Sequence, residues 1–445
     1  MRKIIGLYLI LISTVSTQEF TFIDQTNFYR NLDPETDFYS ETGYIKVSSI
    51  NNDNNQFFYH LFLKEGTMSL NDIKETDNFI LWLHGGPGYS SLIQIFQNVG
   101  PFHIYKKAEN DYSVRKVQNT WNKVAHIIFI DQPFEVGLSY SSPNINVENS
   151  EQAAAYIVEF FQIFFQQRQQ FSQTNFYIFG VSYSGHYVPA IGVALVKSNL
   201  DINFKGIAFG NGWTDAFIQY SSYAPFLYSL GIFSEQKLSY TQEQMAKAQN
   251  FILNGEYLKS TYEGFFEIFT ILNKFAGQVS SHDFQKYLNE EPTEELYSAF
   301  INQYKKQFGA PDEIIYIDWN KKIIKNFEVD ISKSQKFNLE LLLNLGKKVL
   351  IYSGSRDIIC NTPSMNYIIN KLNWKYIHEW KKQPKQIFKS QREGFDQNET
   401  AGTIKHYQNF YFATLFNAGH FAQNDLPIAT LKIVTHFLND DQNWD

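Results

Sequence analysis

Six short apolar segments are spread along the chain, and they restrict its fold more than any other feature of the sequence. Most are about four to eight residues long and bounded by Gly, Asp or Ser, as the buried strands of a parallel sheet are. Between the second and third segments, Ile157, Phe160, Phe161, Phe164 and Phe165 fall at helical spacing. This alternation predicts an α/β fold with a mostly parallel central sheet flanked by helices. The six segments are residues 79–83, 127–130, 176–179, 207–209, 349–352 and 410–416.

Two regions of the chain depart from this alternation. Residues 43–47 and 57–62 flank an Asn-rich turn, which predicts a β-hairpin ahead of the parallel strands. Between Asp215 and about residue 340 helical periodicity replaces the strand signals, which predicts a mainly helical cap inserted over the sheet. The predicted divisions are a signal peptide over 1–17, a first core part over 18–215, the cap over 216–340 and a second core part over 341–445.

The N-terminus has the order of a secretory signal peptide. Arg2 and Lys3 precede an apolar run over 4–12, and small residues then lead to polar Gln18, with predicted cleavage after Ser16 or Thr17. A buried N-terminal strand and a membrane anchor are the alternatives, but the run is well short of the roughly 20 residues that span a bilayer. We therefore expect a mature chain without a membrane span, either secreted or in the lumen of a lysosome or vacuole.

Composition indicates a globular chain and excludes some partners. Of the 445 residues, 44% are hydrophobic and 19% are charged, which argues against disorder. The net charge of -7 comes without a block of Lys or Arg, so nucleic acid is not an expected partner. Cys360 is the only cysteine, which excludes an intrachain disulfide. The triplet beginning at Asn398 is a predicted N-glycosylation site in a surface loop.

Ser182 is the candidate nucleophile. It follows the apolar segment 176–179, lies among small residues and precedes a predicted helix over 184–197. The order strand, tight turn, nucleophile and helix is typical of a nucleophile elbow. An ordinary Gly-flanked turn is the alternative, because Ser184 stands where the motif has its second Gly.

A glycine-rich loop over residues 84–88 follows the first predicted core strand. Its glycines let the backbone approach a ligand closely, so the loop can supply a second donor to an oxyanion. A serine nucleophile also needs a base and an acid, which in α/β-hydrolases follow it in the order acid, then His. Asp357 follows the segment 349–352, and His420 follows 410–416 through a Gly. His186 is closer to Ser182 in the chain, but it should point away from the serine hydroxyl.

Six segments, in order, resemble the serine carboxypeptidase family. The resemblance implies an α/β-hydrolase fold, a triad of Ser182, Asp357 and His420, and an oxyanion hole from the backbone N–H groups of Gly86 and Tyr183. It also implies the release of C-terminal residues from peptides, without a metal or other cofactor. Because a chain with one cysteine cannot form the disulfides of the family's cap, comparison with the family predicts a more mobile cap. The matching segments are residues 82–91, 131–140, 180–189, 210–215, 353–361 and 417–427.

The resemblance is incomplete where the family binds the carboxylate of its substrate. His84, Asn98 and Val181 replace the three family groups at these positions. One hypothesis is that His84, protonated near its reference pKa of roughly 6.5, binds the carboxylate instead; the alternative is that its ring only packs. The predicted substrate-binding residues are His84, Gly85, Asn98, Val181, Cys360 and Phe421.

Two other functions stay open on the sequence. Residues 84–88 also resemble the glycine loop of proline iminopeptidases, so another acyl hydrolase or transferase, such as an iminopeptidase or esterase, is one alternative. A catalytically silent binding protein with this fold is the other. A homodimer is possible.

Overall fold

The computed structural model describes residues 20–47, 54–143, 145–288, 295–392, 394, 397–441 and 444. The predicted signal peptide over 1–17 lies outside the described residues. Thirteen strands are present in the described part of the chain: β1 (Phe20–Asp24), β2 (Ser40–Lys46), β3 (Gln56–Phe62), β4 (Asn78–Leu83), β5 (Phe102–Ala108), β6 (Asp111–Lys116), β7 (His126–Ile130), β8 (Asn175–Val181), β9 (Phe204–Gly210), β10 (Lys348–Gly354), β11 (Gln386–Gln391), β12 (Asn398–Tyr407) and β13 (Phe410–Leu415).

Eleven of these strands form one sheet. Its six central strands are parallel and lie in the order β7, β4, β8, β9, β10, β13. The antiparallel strands β1, β2 and β3 extend one edge, and β12 and β11 extend the other. Strands β5 and β6 form a separate antiparallel pair. The predicted mostly parallel sheet and N-terminal hairpin are therefore confirmed.

The α-helices of the described residues pack on this sheet or lie in the segment between β9 and β10. They are α1 (Thr26–Leu32), α2 (Ser150–Gln167), α3 (Ser184–Lys197), α4 (Ala216–Ser229), α5 (Glu235–Leu253), α6 (Tyr257–Ser260), α7 (Glu267–Phe275), α8 (Glu295–Tyr304), α9 (Lys321–Asn326), α10 (Lys336–Asn344), α11 (Thr362–Asn370), α12 (Ile377–Lys382), α13 (Ala422–Asp425) and α14 (Pro427–Asn439). A π-helical turn, Thr261–Phe266, precedes α7. A short 3-10 turn, Asp330–Ser332, precedes α10.

Both faces of the central sheet are buried, which explains why its strands are nearly continuous apolar runs. In β4, Phe79 and Leu81 face the layer that contains α2 and α3, whereas Ile80 and Trp82 face the layer that contains α14. We call these the α2-side layer and the α14-side layer. Successive side chains of a strand point to opposite faces, so each buried strand supplies both layers.

Strands β1, β5, β6, β11 and β12 were not predicted from the sequence. They lie at the edges of the main sheet or in the separate pair, and they are largely exposed. In β11 only Phe388 and Ser390 are buried. A strand that buries only some of its side chains produces no apolar run, so the sequence carries little signal for it.

The segment between β9 and β10 contains the helices α4 to α10, and no strand of the main sheet falls within its described residues. Residues 281–282 of this segment bind the core by backbone hydrogen bonds. The carbonyl of Ser281 accepts the N–H groups of Ile358 (3.0 Å) and Ile359 (3.1 Å), and that of His282 accepts the N–H of His420 (2.7 Å). Greater mobility of the cap stays a prediction, and these bonds oppose it. Among the described residues, no helix combines the length and apolar character needed to cross a membrane.

Candidate active site

Ser182 stands at a strained turn between β8 and α3. Its φ of 64° is a left-handed conformation that residues other than Gly seldom adopt. The carbonyl of Ser182 accepts the N–H groups of Gly185 and Trp213, both at 2.9 Å, and its own N–H binds the carbonyl of Gly210 at 3.1 Å. The end of β9, the loop that follows it and the start of α3 therefore hold the turn in this conformation, as a nucleophile elbow requires.

The unusual Ser184 of the motif has a structural role in this turn. Its hydroxyl lies within hydrogen-bonding distance of the carbonyls of Leu83 (3.0 Å) and His84 (3.1 Å), so it links the elbow to the glycine loop. The next residue, Gly185, makes the close approach, because a Cβ there would lie 2.5 Å from the carbonyl oxygen of Trp213. Ser184 thus fits the turn, with Gly185 providing the space.

The predicted acid and base are hydrogen-bonded to each other. Nδ1 of His420 lies 2.7 Å from Oδ2 of Asp357, which is fully buried. Asp357 also accepts the side-chain amide of Asn211 (2.8 Å) and the backbone N–H of Ile359 (2.9 Å). Asn211 was not assigned a role from the sequence, although it lies in one of the matching segments. Its amide orients the Asp357 carboxylate toward His420.

A cavity of about 510 Å³ opens beside this pair. Ser182 and His420 line it, together with the predicted oxyanion residues and three of the predicted substrate-binding residues. Gly85 lies behind the wall, where a Cβ would come within 2.6 Å of the Ser182 Cβ. The predicted residues that line the cavity are His84, Gly86, Ser182, Tyr183, Cys360, His420 and Phe421.

The buried carboxylate of Asp131 holds the residues around the glycine loop in place by hydrogen bonds. Oδ1 of Asp131 accepts the hydroxyl of Ser90 (2.5 Å) and the N–H of Ser91 (3.0 Å), and Oδ2 accepts the N–H of Leu138 (2.9 Å). Gly86 in this loop has a φ of 113°, which favours glycine. Burial raises the pKa of Asp131 to about 7, although these hydrogen bonds act in the opposite direction.

The hypothesis that His84 is protonated is wrong. Burial, followed by the nearby His420 and His282, lowers the pKa of His84 to about 3. Its Nδ1 accepts the backbone N–H of Gly85 at 2.8 Å, which requires an unprotonated Nδ1. The neutral ring therefore carries its proton on Nε2.

Besides Gly85, two predicted substrate-binding residues do not line the cavity. Val181 is fully buried in the α14-side layer. Asn98 lines a neighbouring cavity of about 280 Å³ instead, and its Oδ1 lies 2.9 Å from Nε2 of His103. The family positions therefore do not supply a carboxylate-binding group through these two side chains.

Cys360 is near the candidate triad, as predicted, but it is only 2% exposed. Sγ of Cys360, a carboxylate oxygen of Asp357 and a ring nitrogen of His420 all lie within 4.8 Å of one another, so the three could be considered as metal ligands. Burial, and secondarily the charge of Asp357, raises the pKa of the thiol, whereas a metal site needs a thiolate. Because Asp357 is also already bonded to His420, the group fits a hydrolase triad better than a metal site.

The remaining walls of the cavity were not predicted from the sequence. One wall is aromatic, and another carries Asp283, Lys286 and Asp425, in which Lys286 pairs with Asp425 at 2.8 Å. Half of these side chains come from helical segments whose sequence shows only ordinary helical periodicity, and the other half come from loops. The aromatic residues are Tyr89, Trp213, Phe265, Phe266, Phe269, Tyr297 and Trp319.

Asn398 is exposed, but it is the first residue of β12 and does not lie in a loop as predicted. It pairs with Gln391 of β11 at the edge of the sheet. The side chain is therefore on the surface for a different reason, since β11 and β12 pack little of their area against the core.

Comparison with known proteins gives one family. The model of the serine carboxypeptidase family matches residues 31–440. The chain is 30% identical over 427 residues to serine carboxypeptidase S10 family member 1 of Dictyostelium discoideum, covering 93% of this chain and 97% of that protein. It is 31% identical over 424 residues to carboxypeptidase Y of Candida albicans, covering 91% of this chain and 74% of that protein.

A solved structure gives the same fold. Kex1, a prohormone-processing carboxypeptidase from Saccharomyces cerevisiae, has a TM-score of 0.79 to this chain at 21% identity, with 92% of both chains covered. The predicted α/β-hydrolase fold is therefore confirmed.

Proposed function

The chain belongs to the serine carboxypeptidase family, and we propose that Ser182 is the nucleophile with which it cleaves peptides. As a serine-type carboxypeptidase, it releases C-terminal residues. The observation that carries the proposed site is the 2.7 Å bond between His420 and Asp357, with Ser182 on a strained turn in the same cavity.

The proposed reaction begins with proton transfer from Ser182 Oγ to Nε2 of His420 as Oγ attacks the scissile carbonyl carbon. Asp357 accepts a hydrogen bond from the Nδ1–H of His420, which keeps the Nε2 lone pair available and stabilises the imidazolium. The N–H groups of Gly86 and Tyr183 bind the oxyanion that forms.

The tetrahedral intermediate then collapses. His420 gives the Ser182 proton to the leaving amine, the C–N bond breaks, and the C-terminal residue departs. Water attacks the acyl-enzyme with His420 again as base, and Ser182 recovers its proton from the imidazolium.

We also propose that neutral His84 binds the terminal carboxylate of the substrate through its Nε2–H. The ring lines the cavity, and Nδ1 is occupied by Gly85. Replacing His84 with Gln should raise KM for peptides about tenfold or more, the value of roughly one hydrogen bond to a charged carboxylate, and should leave KM for simple esters unchanged. Equal changes for both substrates would contradict this role.

A matched control is His103→Gln, since this ring lines the neighbouring cavity. It should leave both KM values within twofold. Because His84 stays neutral well above pH 3, KM of the wild type for peptides should not follow a titration near pH 6.5.

Product analysis of N-blocked peptides over a range of pH tests the whole proposal. Release of free C-terminal residues is expected from the wild type and not from Ser182→Ala, and C-amidated peptides should be poor substrates. A serine-directed phosphonate should label Ser182. Release from the N-terminus only, or full activity of Ser182→Ala, would overturn it.

Residues 216–340 are proposed to form the inserted cap. Phe265, Phe266 and Phe269 support this, because they belong to that segment and line the cavity. Phe269→Ala should change the preference among peptide side chains while a small ester is cleaved at the wild-type rate. An unchanged side-chain preference would argue against the cap as a wall of the substrate site.

Export is proposed from the residues 1–17, to the outside or to the lumen of a lysosome or vacuole. After expression of the full chain in a eukaryotic host, sequencing of the mature N-terminus should start after Ser16 or Thr17. Endoglycosidase should reduce the mass of the wild type and leave Asn398→Gln unchanged. An intact Met1 would refute export by this route.

A further inference from the structure

A buried carboxylate lies behind the nucleophile turn, and the proposed mechanism does not use it. Oδ2 of Asp330 accepts three hydrogen bonds, from the hydroxyl of Tyr183 (2.9 Å) and from the hydroxyl (2.6 Å) and N–H (3.0 Å) of Ser150. Nδ1 of His186 lies 3.6 Å from the same oxygen. Asp330 is fully buried and comes from the segment between β9 and β10.

Tyr183 connects this carboxylate to the cavity. Its backbone nitrogen is at the glycine loop, where a Cβ on Gly85 would lie only 2.4 Å from it. Its side chain runs inward and its ring packs against those of His186 (4.7 Å between centroids), Tyr187 (5.1 Å) and Phe327 (6.0 Å). The hydroxyl at the far end of the ring reaches Asp330.

Asp330 is held in place independently of Tyr183. Ser150 is the first residue of α2, where the helix dipole favours a carboxylate. Burial alone would raise the pKa of Asp330, but the nearby His186 and the hydrogen bonds from Ser150 and Tyr183 lower it below its usual value. Asp330 is therefore ionised at working pH and gives the Tyr183 hydroxyl a fixed acceptor.

The peptide unit between Ser182 and Tyr183 carries the proposed oxyanion donor. Its oxygen end is fixed by the N–H groups of Gly185 and Trp213. The oxygen and the N–H of a trans peptide point in opposite directions, so these bonds aim the Tyr183 N–H away from them. The Cα of Tyr183 at the other end is restrained through its side chain.

We infer that Asp330 is a positioning residue of the oxyanion hole, which fixes the direction of the Tyr183 N–H by binding the Tyr183 hydroxyl. This inference rests on the proposed role of that N–H. The inserted segment would then have two roles at the catalytic centre. It lines the cavity, and through Asp330 it also orients the Tyr183 N–H from the side away from the cavity.

Tyr183→Phe tests this inference, because it removes the hydroxyl and leaves the ring and the backbone N–H. Removing an oxyanion donor costs about 10² to 10³ in rate, and a 1 Å misplacement costs up to about 10². Tyr183→Phe only loosens the donor, so it should reduce kcat about tenfold for peptides and esters alike. KM should stay within twofold of the wild-type value. Inactivation by a peptidyl fluorophosphonate, whose P=O occupies the oxyanion hole, should slow by the same factor.

Asp330→Asn should have a similar effect, and the double variant should be no slower than the slower single variant, because both changes break one link. Tyr187→Phe is the matched control. It removes a buried hydroxyl from the same aromatic cluster, one with no hydrogen-bond partner among the described residues, and should leave kcat unchanged.

Wild-type kcat in Tyr183→Phe, an equal loss in Tyr187→Phe, or multiplicative losses in the double variant would each overturn the role of Asp330. Circular dichroism and thermal unfolding confirm that the compared variants are folded. If the wild type released no C-terminal residue, or Ser182→Ala stayed active, the proposed function would fail instead. The two failures are therefore distinguishable.

Discussion

Asp131 should make the stability of the protein depend on pH in a direction opposite to that of most carboxylates. It is buried under the glycine loop with hydrogen bonds from Ser90, Ser91 and Leu138, but with no cation paired to it among the described residues. Burial raises its pKa from 3.8 to about 7. The folded protein thus holds this proton more tightly than the unfolded chain does.

The size of the effect follows from the shift. A difference of about three pH units, at about 1.4 kcal/mol each, corresponds to roughly 4 kcal/mol in the free energy of unfolding. A raised pKa means that this stabilisation is complete below about pH 4 and is lost as the pH rises through about 7. The wild type should accordingly gain stability from Asp131 at acid pH.

Equilibrium urea unfolding of the wild type and Asp131→Asn between pH 4 and 8 measures this contribution. The loss of the Asp131 contacts changes the free energy of unfolding by an amount that does not vary with pH. Because Asn does not titrate, any pH dependence of the difference comes from Asp131. Buried histidines such as His60 and His84, whose pKa values are lowered, act in the opposite direction, but they cancel between the two proteins.

The expected result is a wild-type advantage that shrinks by roughly 4 kcal/mol from pH 4 to pH 8. A difference between the two proteins that stays constant over this range, within the error of the extrapolation to zero urea, would refute the argument.

Three other properties of the chain should be measurable. Maleimide should label Cys360 at least about tenfold more slowly in the folded enzyme than in urea, because burial raises the pKa of the thiol; mass spectrometry would measure both rates. The labelled enzyme should turn over substrate more slowly than the unlabelled enzyme in an activity assay. Glu41→Gln should lower the free energy of unfolding by about 3 kcal/mol or more, since Arg168 would keep an unpaired buried charge; a loss below about 1 kcal/mol would count against this. Asp357→Asn should reduce kcat about 10⁴-fold with a small change in KM, whereas Asn98→Ala should change neither, because its side chain lines the neighbouring cavity.

The central sheet and the candidate triad were accessible from the sequence for the same reason. Strands buried on both faces are short apolar runs, and the carboxyl ends of parallel strands meet at one edge. Ser182 directly follows such a strand, and Asp357 and His420 each follow one within a few residues, so their chain positions already bring them together. The helix predicted over 184–197 also has those bounds in the structure.

The substrate-binding residues were harder to predict, because each depends on the direction of a side chain. Val181 lies on the same face of β8 as Phe179 and Tyr177. All three are buried in the α14-side layer, and Val181 does not line the cavity. Asn98 sits in a left-handed turn with a φ of 61° and lines the neighbouring cavity. Matching these positions to a family identifies the residue but not where its side chain points.

The protonation of His84 and the role of Asp330 could not be predicted from the sequence for a further reason. The pKa of His84 is set by burial and by two other histidines distant in the chain. The bond between Tyr183 and Asp330 joins residues that are 147 positions apart. Neither contact leaves a local pattern of residues that could be recognised.

The pairing of β9 with β10 across the whole inserted segment also bears on the order in which the members of the proposed triad become available during synthesis. A ribosome releases the chain from its N-terminus, so the turn with Ser182 emerges long before the residues that hold Asp357 and His420. A partly synthesised chain therefore has the proposed nucleophile without the proposed acid and base. The proposed triad can be complete only when β13 has joined β10, so we expect hydrolysis to begin only after this late pairing.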